Sequence, residues 1–389
     1  MIPYSKQSIS IIDALRVARQ VKFKSLTQGS QIKEFENSVA DYVGSKYAIA
    51  VSSATAGLHL AHLAIGHPFG SNVATSPMSF VASANTIIYA GNTPYFVDID
   101  FDSGSMSVDK LTDLINQINI STVVPVHYAG LTCDMKRIHE VCKENNINII
   151  EDAAHALGAT YDSGEKVGSC TYSDMTVFSF HPVKSITTGE GGMITTNNEE
   201  LYDKLIKLRT HGIQRNEVAF QNKILGYTDG QPNLWYYEMH SLGYHYRLTE
   251  IQAVLGVSQM KKIDKFMKKR QIIAKRYDKY LSNIKNIKKS QSKNGGISAN
   301  HLYTLKIDFT KINISRNDLM NKLRKNGIVT QVHYIPIPLH PYYKELGYDV
   351  ENLPNTMNFY FQILSIPIYP KLSFIKQFKV YKTLNKLLA

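Results

Sequence analysis

The sequence is poor in the features that mark special classes of protein. It has three cysteines, Cys133, Cys142 and Cys170, an odd number in no metal-ligand spacing. That excludes a disulfide framework and a zinc ribbon and fits a reducing cytoplasm. No uninterrupted apolar run approaches the ~20 residues of a membrane helix. The opening Met1-Ile-Pro-Tyr-Ser-Lys-Gln7 has no basic segment followed by an apolar one, so no secretory signal is expected. There is no internal repeat and no low-complexity tract. Acids are outnumbered, 32 against 44 Lys and Arg, for a net charge of +12. The excess is local, because 13 Lys and Arg and only Asp264 and Asp278 lie between Lys261 and Lys293. Apolar residues in and before that segment (Val254, Val257, Met260, Ile263, Met267, Ala274, Tyr277, Leu281, Ile284) recur three or four apart. One long amphipathic helix with a solvated charged face is expected, rather than a nucleic-acid arm.

What is present is ordinary globular composition, 43% hydrophobic and 20% charged over 389 residues, enough for a large domain and a smaller one. Helices are expected over 8–23, with Ile9, Ile12, Leu15, Val17 and Val21 apolar, and over a stretch carrying Phe35, Val39 and Tyr42 that stops at Gly44. Tyr47–Val51 reads as a buried strand. Ser52-Ser-Ala-Thr-Ala-Gly57 then leads into a helix from Leu58 to Ile65. Such a small-residue turn presents free N–H groups and a positive helix end to a phosphate, or simply caps the helix. Strands at 73–76, 93–97, 122–126 and 147–150 alternate with helices at 80–90, 108–118 and 135–144. That alternation implies a mostly parallel sheet covered on both faces, with ligands beyond the carboxyl ends of its strands. Glu151-Asp-Ala-Ala-His155 sits at such an end, where Asp152 suits either a protonated ring nitrogen or a helix cap.

Thr176-Val-Phe-Ser-Phe-His-Pro-Val-Lys184 follows; the stretch from Thr176 to Thr196 reads as a short apolar strand, a loop that carries the lysine, a Thr/Gly-rich turn and a second short strand. Lys184 is the only charged side chain between Asp174 and Glu190. An amine among Phe178, Phe180, Pro182 and Val183 is partly desolvated, which lowers its pKa and makes it nucleophilic; the ordinary alternative is a solvated loop lysine. Helix 199–209 precedes an aromatic, Gly-rich excursion over 215–245 that holds the only tryptophan, Trp235. After Gly295-Gly296 the pattern gives a strand (302–307), a helix (316–326), a strand (329–334) and an irregular Pro-rich stretch, Ile335–Tyr343. The expected division is a large α/β domain over 1–250 and a smaller α+β domain over 251–389.

With Ser-Ala-Thr55, Glu-Asp-Ala-Ala-His155 and Phe-Ser-Phe-His-Pro-Val-Lys184 in that order, the chain resembles the DegT/DnrJ/EryC1/StrS sugar aminotransferases. The resemblance runs nearly end to end. It implies the aspartate-aminotransferase fold of fold type I, pyridoxal 5'-phosphate as cofactor, and a homodimer with shared active sites. It also implies amino transfer from L-glutamate to a keto-sugar nucleotide. The lysine loop and Val332-His-Tyr-Ile335 are most similar to the branch that acts on a UDP-linked 4-keto-6-deoxy-N-acetyl sugar for pseudaminic acid. By that resemblance Lys184 would form the Schiff base and shuttle the proton, and Asp152 would hold the ring nitrogen charged. Ala54, Thr55 and Ser179 would take the phosphate, Phe80 would stack on the ring, and His155 would lie near the ring hydroxyl. His245 stands where the family has an asparagine that reaches the other subunit's phosphate. Tyr4, Lys24, Thr27, His333 and Tyr334 would contact the sugar nucleotide. Sugar dehydratases of the same family carry histidine at the lysine position, so Lys184 argues against that activity.

Overall fold

The computed structural model describes residues 1–215, 220–282, 284–289 and 296–388. Residues 216–219 of the expected excursion, Lys293 of the basic segment and Gly295 lie outside them.

The central sheet has seven strands: β1 (Tyr47–Val51), β2 (Asn72–Thr75), β3 (Thr93–Phe96), β4 (Ile120–Val124), β5 (Asn148–Asp152), β6 (Met175–Ser179) and β7 (Gly192–Thr196). Their spatial order is β1-β7-β6-β5-β4-β2-β3. Strand β7 runs antiparallel to both neighbours and the remaining pairs are parallel. Successive strand residues point to opposite faces, and here both faces are apolar. Ala48, Ala50, Val123, Ile149 and Phe178 enter one core, while Ile49, Val51, Val124, Ile150 and Val177 enter the other. This explains the continuous apolar runs that the strands show in sequence.

The helices that cover and flank this sheet are α1 (Ile11–Phe23), α2 (Ser30–Val43), α3 (Ala54–Ile65), α4 (Ala82–Tyr89), α5 (Val108–Gln117), α6 (Met135–Glu144) and α7 (Glu199–Arg209). Helix α3 begins at Ala54, four residues before the expected start, because the Ser53 hydroxyl accepts the Ala56 N–H at 3.0 Å and caps it there. The aromatic excursion holds the short α8 (Lys223–Gly226) and two-residue ladders, in which β8 (Ile213–Gln214) pairs with β11 (Glu238–Met239) and β9 (Tyr227–Thr228) with β10 (Gln231–Pro232).

The expected long basic helix is two helices, α9 (Glu250–Met260) and α10 (Ile263–Leu281). The break falls at Lys262, whose amine reaches Asp13, a residue with no exposed surface. Helix α1 forms within the expected range, but its apolar residues do not mark its buried side. Its polar residues Asp13 and Gln20 are buried, whereas Ile12, Leu15 and Val21 are exposed. Along α10 most cations face solvent, but Arg270 turns inward and donates to the carbonyls of Asn300, His301 and Ile368. The change of core occurs at that point: Phe266 and Met267 pack with the central sheet, Ile273 and Ala274 with the second.

That second sheet is antiparallel, β12 (Ile287–Lys289), β13 (Tyr303–Ile307) and β14 (Ile363–Ile366), in the order β12-β13-β14. It is accompanied by α11 (Arg316–Lys325), α13 (Pro354–Gln362) and α14 (Phe374–Leu388). The expected strand at 329–334 is absent; the segment pairs through one single bridge, Gln331 with Ser365, just after another at Ile328 with Ile2. The Pro-rich stretch is more regular than expected, with a 3-10 turn at Ile337–Leu339 and a short α12 (Pro341–Glu345) whose proline occupies the first turn, where its missing N–H costs nothing.

Candidate active site

One cavity of about 520 Å³ opens beyond the carboxyl ends of the parallel strands, between the central sheet and residues 331–334. Each wall has a local cause. Asp152 ends β5, with its N–H given to the Pro125 carbonyl and its own carbonyl taking the His127 N–H. Its Oδ1 accepts the Ala154 N–H at 3.1 Å and its Oδ2 accepts the Ser83 hydroxyl at 2.6 Å. Ser83 has spent its one proton there, so Ser79, 2.7 Å away, is the donor to Ser83. Nothing in the sequence marks this relay from Ser79, just before α4, to Ser83 in its first turn, because serines at a helix start are commonplace.

Lys184 lies in the loop after β6. Thr187 Oγ1 and the Thr188 N–H both donate to the Phe180 carbonyl, and the Lys184 N–H donates to the His181 carbonyl at 2.9 Å. Removal from water lowers the Lys184 amine to about 8, against a partial rise from Asp152. It is therefore a mixture of amine and ammonium near neutrality.

The opposite wall is rich in neutral imidazole. Burial holds His155 well below the ordinary histidine range, reinforced by Lys184 and His333. Its Nε2 lies 3.1 Å from the Tyr334 hydroxyl, its ring is 4.3 Å from that of His301, and its buried Nδ1 has no hydrogen-bond partner among the described residues. Burial and Lys184 also depress His333, to about 3, and its Nδ1 meets Ser365 Oγ at 2.8 Å. At the floor, Ala54 and Thr55 open α3, where N–H groups have no acceptor within the helix. Gly192 makes this approach possible, since a Cβ there would sit 2.5 Å from the Ser53 carbonyl carbon and 2.6 Å from the Ala54 nitrogen.

Of the residues singled out in the sequence, Tyr4, Ala54, Thr55, Phe80, Asp152, His155, Ser179, Lys184, His333 and Tyr334 all line this cavity. Lys24, Thr27 and His245 do not; in the single chain all three are exposed. The structure adds Ser53, Ser79, His181, Glu190 and Gln331 to the lining. His181 stands in the quoted lysine motif and could have been read from it; Gln331 comes from a distant segment and could not.

Residues 10–385 match the model of the DegT/DnrJ/EryC1/StrS aminotransferase family. The spore coat polysaccharide biosynthesis protein SpsC of Bacillus subtilis is 39% identical over 96% of this chain and 93% of its own. A UDP-4-amino-4,6-dideoxy-N-acetyl-beta-L-altrosamine transaminase of Campylobacter jejuni is 38% identical over 96% and 94%. Among solved structures, Helicobacter pylori PseC, an aminotransferase involved in pseudoaminic acid biosynthesis, superposes with a TM-score of 0.90 at 30% identity over 100% and 99% of the two chains. The PLP form of the sugar aminotransferase Spr1654 from Streptococcus pneumoniae gives 0.87 at 29% identity over 99% and 98%.

Proposed function

The chain belongs to the DegT/DnrJ/EryC1/StrS aminotransferase family, and from that premise we propose that it transfers the amino group of L-glutamate to C4 of UDP-4-keto-6-deoxy-N-acetyl-altrosamine, a step toward pseudaminic acid. It is a pyridoxal-phosphate-dependent sugar aminotransferase. The observation that carries the reading is the convergence on one cavity of a desolvated lysine, a doubly hydrogen-bonded carboxylate and a helix N-terminus. The residues present fit the cofactor. The first turn of α3 and Ser179 supply donors for a phosphate, Asp152 supplies an anion for a protonated ring nitrogen, and the partnerless Nδ1 of His155 awaits a polar group.

Bound pyridoxal phosphate supplies an aldehyde that captures amines and a ring that withdraws electrons from the adjacent carbon. The protein does the rest. Asp152, oriented by Ser83 and the Ala154 N–H, keeps the proton on the ring nitrogen. Phe80, open on one side at 59% exposure, covers a ring face. Lys184 Nζ, with its pKa near 8, takes a proton from the donor carbon and returns one to the sugar carbon. Donor and acceptor use the site in turn, so ping-pong kinetics are expected.

The exposure of Lys24, Thr27 and His245 in the single chain supports a homodimer in which these residues complete the other copy's site. The outward apolar residues of α1 and of the excursion (Ile224, Leu234, Trp235, Leu242) support the same arrangement. A cytoplasmic setting is supported by three free, buried cysteines. Among the described residues no helix is long and apolar enough to cross a membrane.

The test is an absorption spectrum of the protein with and without L-glutamate, beside Lys184→Ala, followed by product analysis on a panel of keto-sugar nucleotides. A visible-edge band that shifts to shorter wavelength with glutamate and is missing in the variant is expected. Amination of the altrosamine precursor in preference to the others supports the substrate; preference for a different keto sugar refutes it. A protein that stays colourless with added pyridoxal phosphate refutes the whole reading.

A further inference from the structure

The basic segment of the sequence takes no part in the cavity, and the fold gives it a definite place. In the second sheet, Tyr303, Leu305 and Ile307 of β13 and Leu364 and Ile366 of β14 point to one face and share a core with α10, α11 and α14. The intervening residues turn to the other face, where Lys306 reaches Asp102 and Ser365 meets His333. The three helices therefore cover the side of the sheet away from the cavity. Helix α14 packs on both α10 and α11, so their outer sides join into one surface. Together the three hold 15 Lys and Arg and only three acids, Asp264, Asp278 and Asp318, which matches the net +12 of the whole chain. Each of those acids is already engaged. Asp264 accepts the Tyr42 hydroxyl, Asp278 takes Lys289 and the Tyr303 hydroxyl, and Asp318 takes the Ser315 hydroxyl.

Helix α14 is the most one-sided of the three, with four lysines and no acid. Ile375, Lys379, Lys382 and Lys386 recur four, three and four apart, which puts them on one stripe, opposite the buried Gln377, Val380 and Leu384. At 79% exposure, Ile375 is an isoleucine held in water within a row of cations. Phe374, also exposed, precedes it, with the Arg276 guanidinium 5.5 Å from its ring centre. A surface that is cationic over three helices and apolar at one end suits a bilayer interface. There lysines meet anionic headgroups and an apolar side chain enters the acyl boundary. A second copy of the chain is repelled by the same charge. A nucleic-acid backbone satisfies the lysines but gives Ile375 nothing to pack against.

We propose that α10, α11 and α14 form a peripheral docking surface for an anionic lipid bilayer, with α14 lying along it and Phe374 and Ile375 entering it. The cavity wall belongs to the other face of the sheet, so docking leaves the cavity clear.

The test sediments the full-length protein with vesicles of phosphatidylcholine, alone or with about three parts in ten of phosphatidylglycerol. It is run in low salt and in about 0.5 M salt, where the screening length is about 4 Å. Binding to the anionic vesicles alone, lost in high salt, is expected. Glutamine at Lys379, Lys382 and Lys386 together should weaken it about a hundredfold, at about fivefold for each lysine near the surface. Ile375→Ser should weaken it about tenfold. Arginine at the same three lysine positions should bind like the wild type, which makes charge the variable. Equal binding to both kinds of vesicle, binding to neither, or a glutamine variant that binds like the wild type overturns the proposal. So does a DNA duplex retarded by the protein under conditions that leave the vesicles unbound, a result that assigns the surface to nucleic acid.

Discussion

Replacing Asp13 by alanine should cost more stability than any other single change on the surface-facing helix α1. The Asp13 side chain has no exposed surface, and both its oxygens lie 2.5 Å from Lys262 Nζ. Oδ2 also accepts the Ser10 N–H at 2.7 Å and the Gln259 amide at 3.0 Å, and the Ser10 hydroxyl caps the Asp13 N–H in return. Burial pushes the carboxyl up, but Lys262, Ser10 and Ser258 pull it down to about 2 from 3.8. By linkage that shift corresponds to roughly 2.5 kcal/mol at neutral pH, and screening through the thin covering of protein trims it to about 2. Because the folded pKa is depressed, this contribution is present above the unfolded value and is lost as pH falls toward 2.

Alanine goes further than protonation does. It leaves Lys262, partly buried, and the amide of Gln259 without their acceptor, and it removes half of a capping box, so about 3–4 kcal/mol is expected. Urea unfolding of Asp13→Ala, Lys262→Met and the double variant measures the coupling. The pair should show about 2 kcal/mol of interaction energy, and the acid limb of the Asp13→Ala stability curve should flatten. Since α1 presents Ile12, Leu15 and Val21 outward, the proposed dimer of the alanine variant should also dissociate at higher protein concentration than that of the wild type. A loss below about 1 kcal/mol with an unchanged acid limb would refute the reasoning.

Ser83→Ala should weaken pyridoxal phosphate binding about tenfold, because a hydrogen bond to a charged group contributes about 1.5 kcal/mol; equilibrium dialysis of the cofactor checks it. Gly192→Ala drives a Cβ into backbone at 2.5 and 2.6 Å, so a loss of about 1–3 kcal/mol from overpacking is expected, with the cofactor released more readily on gel filtration. Burial, with His59 and His67 nearby, lowers His62 to about 3. Its neutral form is the folded one, so stability should fall as pH drops from the ordinary histidine range toward 3, with a slope of about 1.4 kcal/mol per pH unit for this single proton. His62→Gln should flatten that slope in melting curves taken across the same range.

The parts of the fold legible in the sequence were those with a repeating signal. Strand and helix alternation gave five of the seven strands of the sheet within a residue or two, the stretch around the lysine loop gave the other two, and the ordered motifs around Asp152 and Lys184 pointed to residues that share one cavity. Illegible parts depend on partners far away in the chain. The apolar spacing of α1 marked a helix but not its buried side, which is polar because Lys262 and Gln259 wait there. No periodicity marks a helix break at Lys262, since the residues on either side keep the same spacing. The 329–334 segment has the composition of a strand, but Ser365 offers it a single bridge and Ile2 bridges only the residue before it. The sequence-based division at 250 and 251 marks the start of the helix pair, whereas buried side chains change core within α10.

The charges of the cavity bear on the proposed homodimer. Among the described residues that line it, Lys184 is the only lysine or arginine, while Asp152 and Glu190 are acidic. The histidines on the opposite wall are neutral, held so by burial. The ligands proposed for this site are anionic: a cofactor phosphate, a donor with two carboxylates and a sugar carried on a diphosphate. The α3 N-terminus can meet one phosphate with about half a unit of positive charge, and Lys184 is committed to chemistry. The remaining anions need cations or strong donors that the single chain does not direct inward. Lys24 and His245 are exposed and lie outside the cavity of their own chain, as residues must that serve a second copy. Diluting the protein below its dimer dissociation constant should therefore abolish amino transfer before it releases the cofactor. Activity that survives in a demonstrably monomeric protein would mean that the substrate's charges are met in some other way.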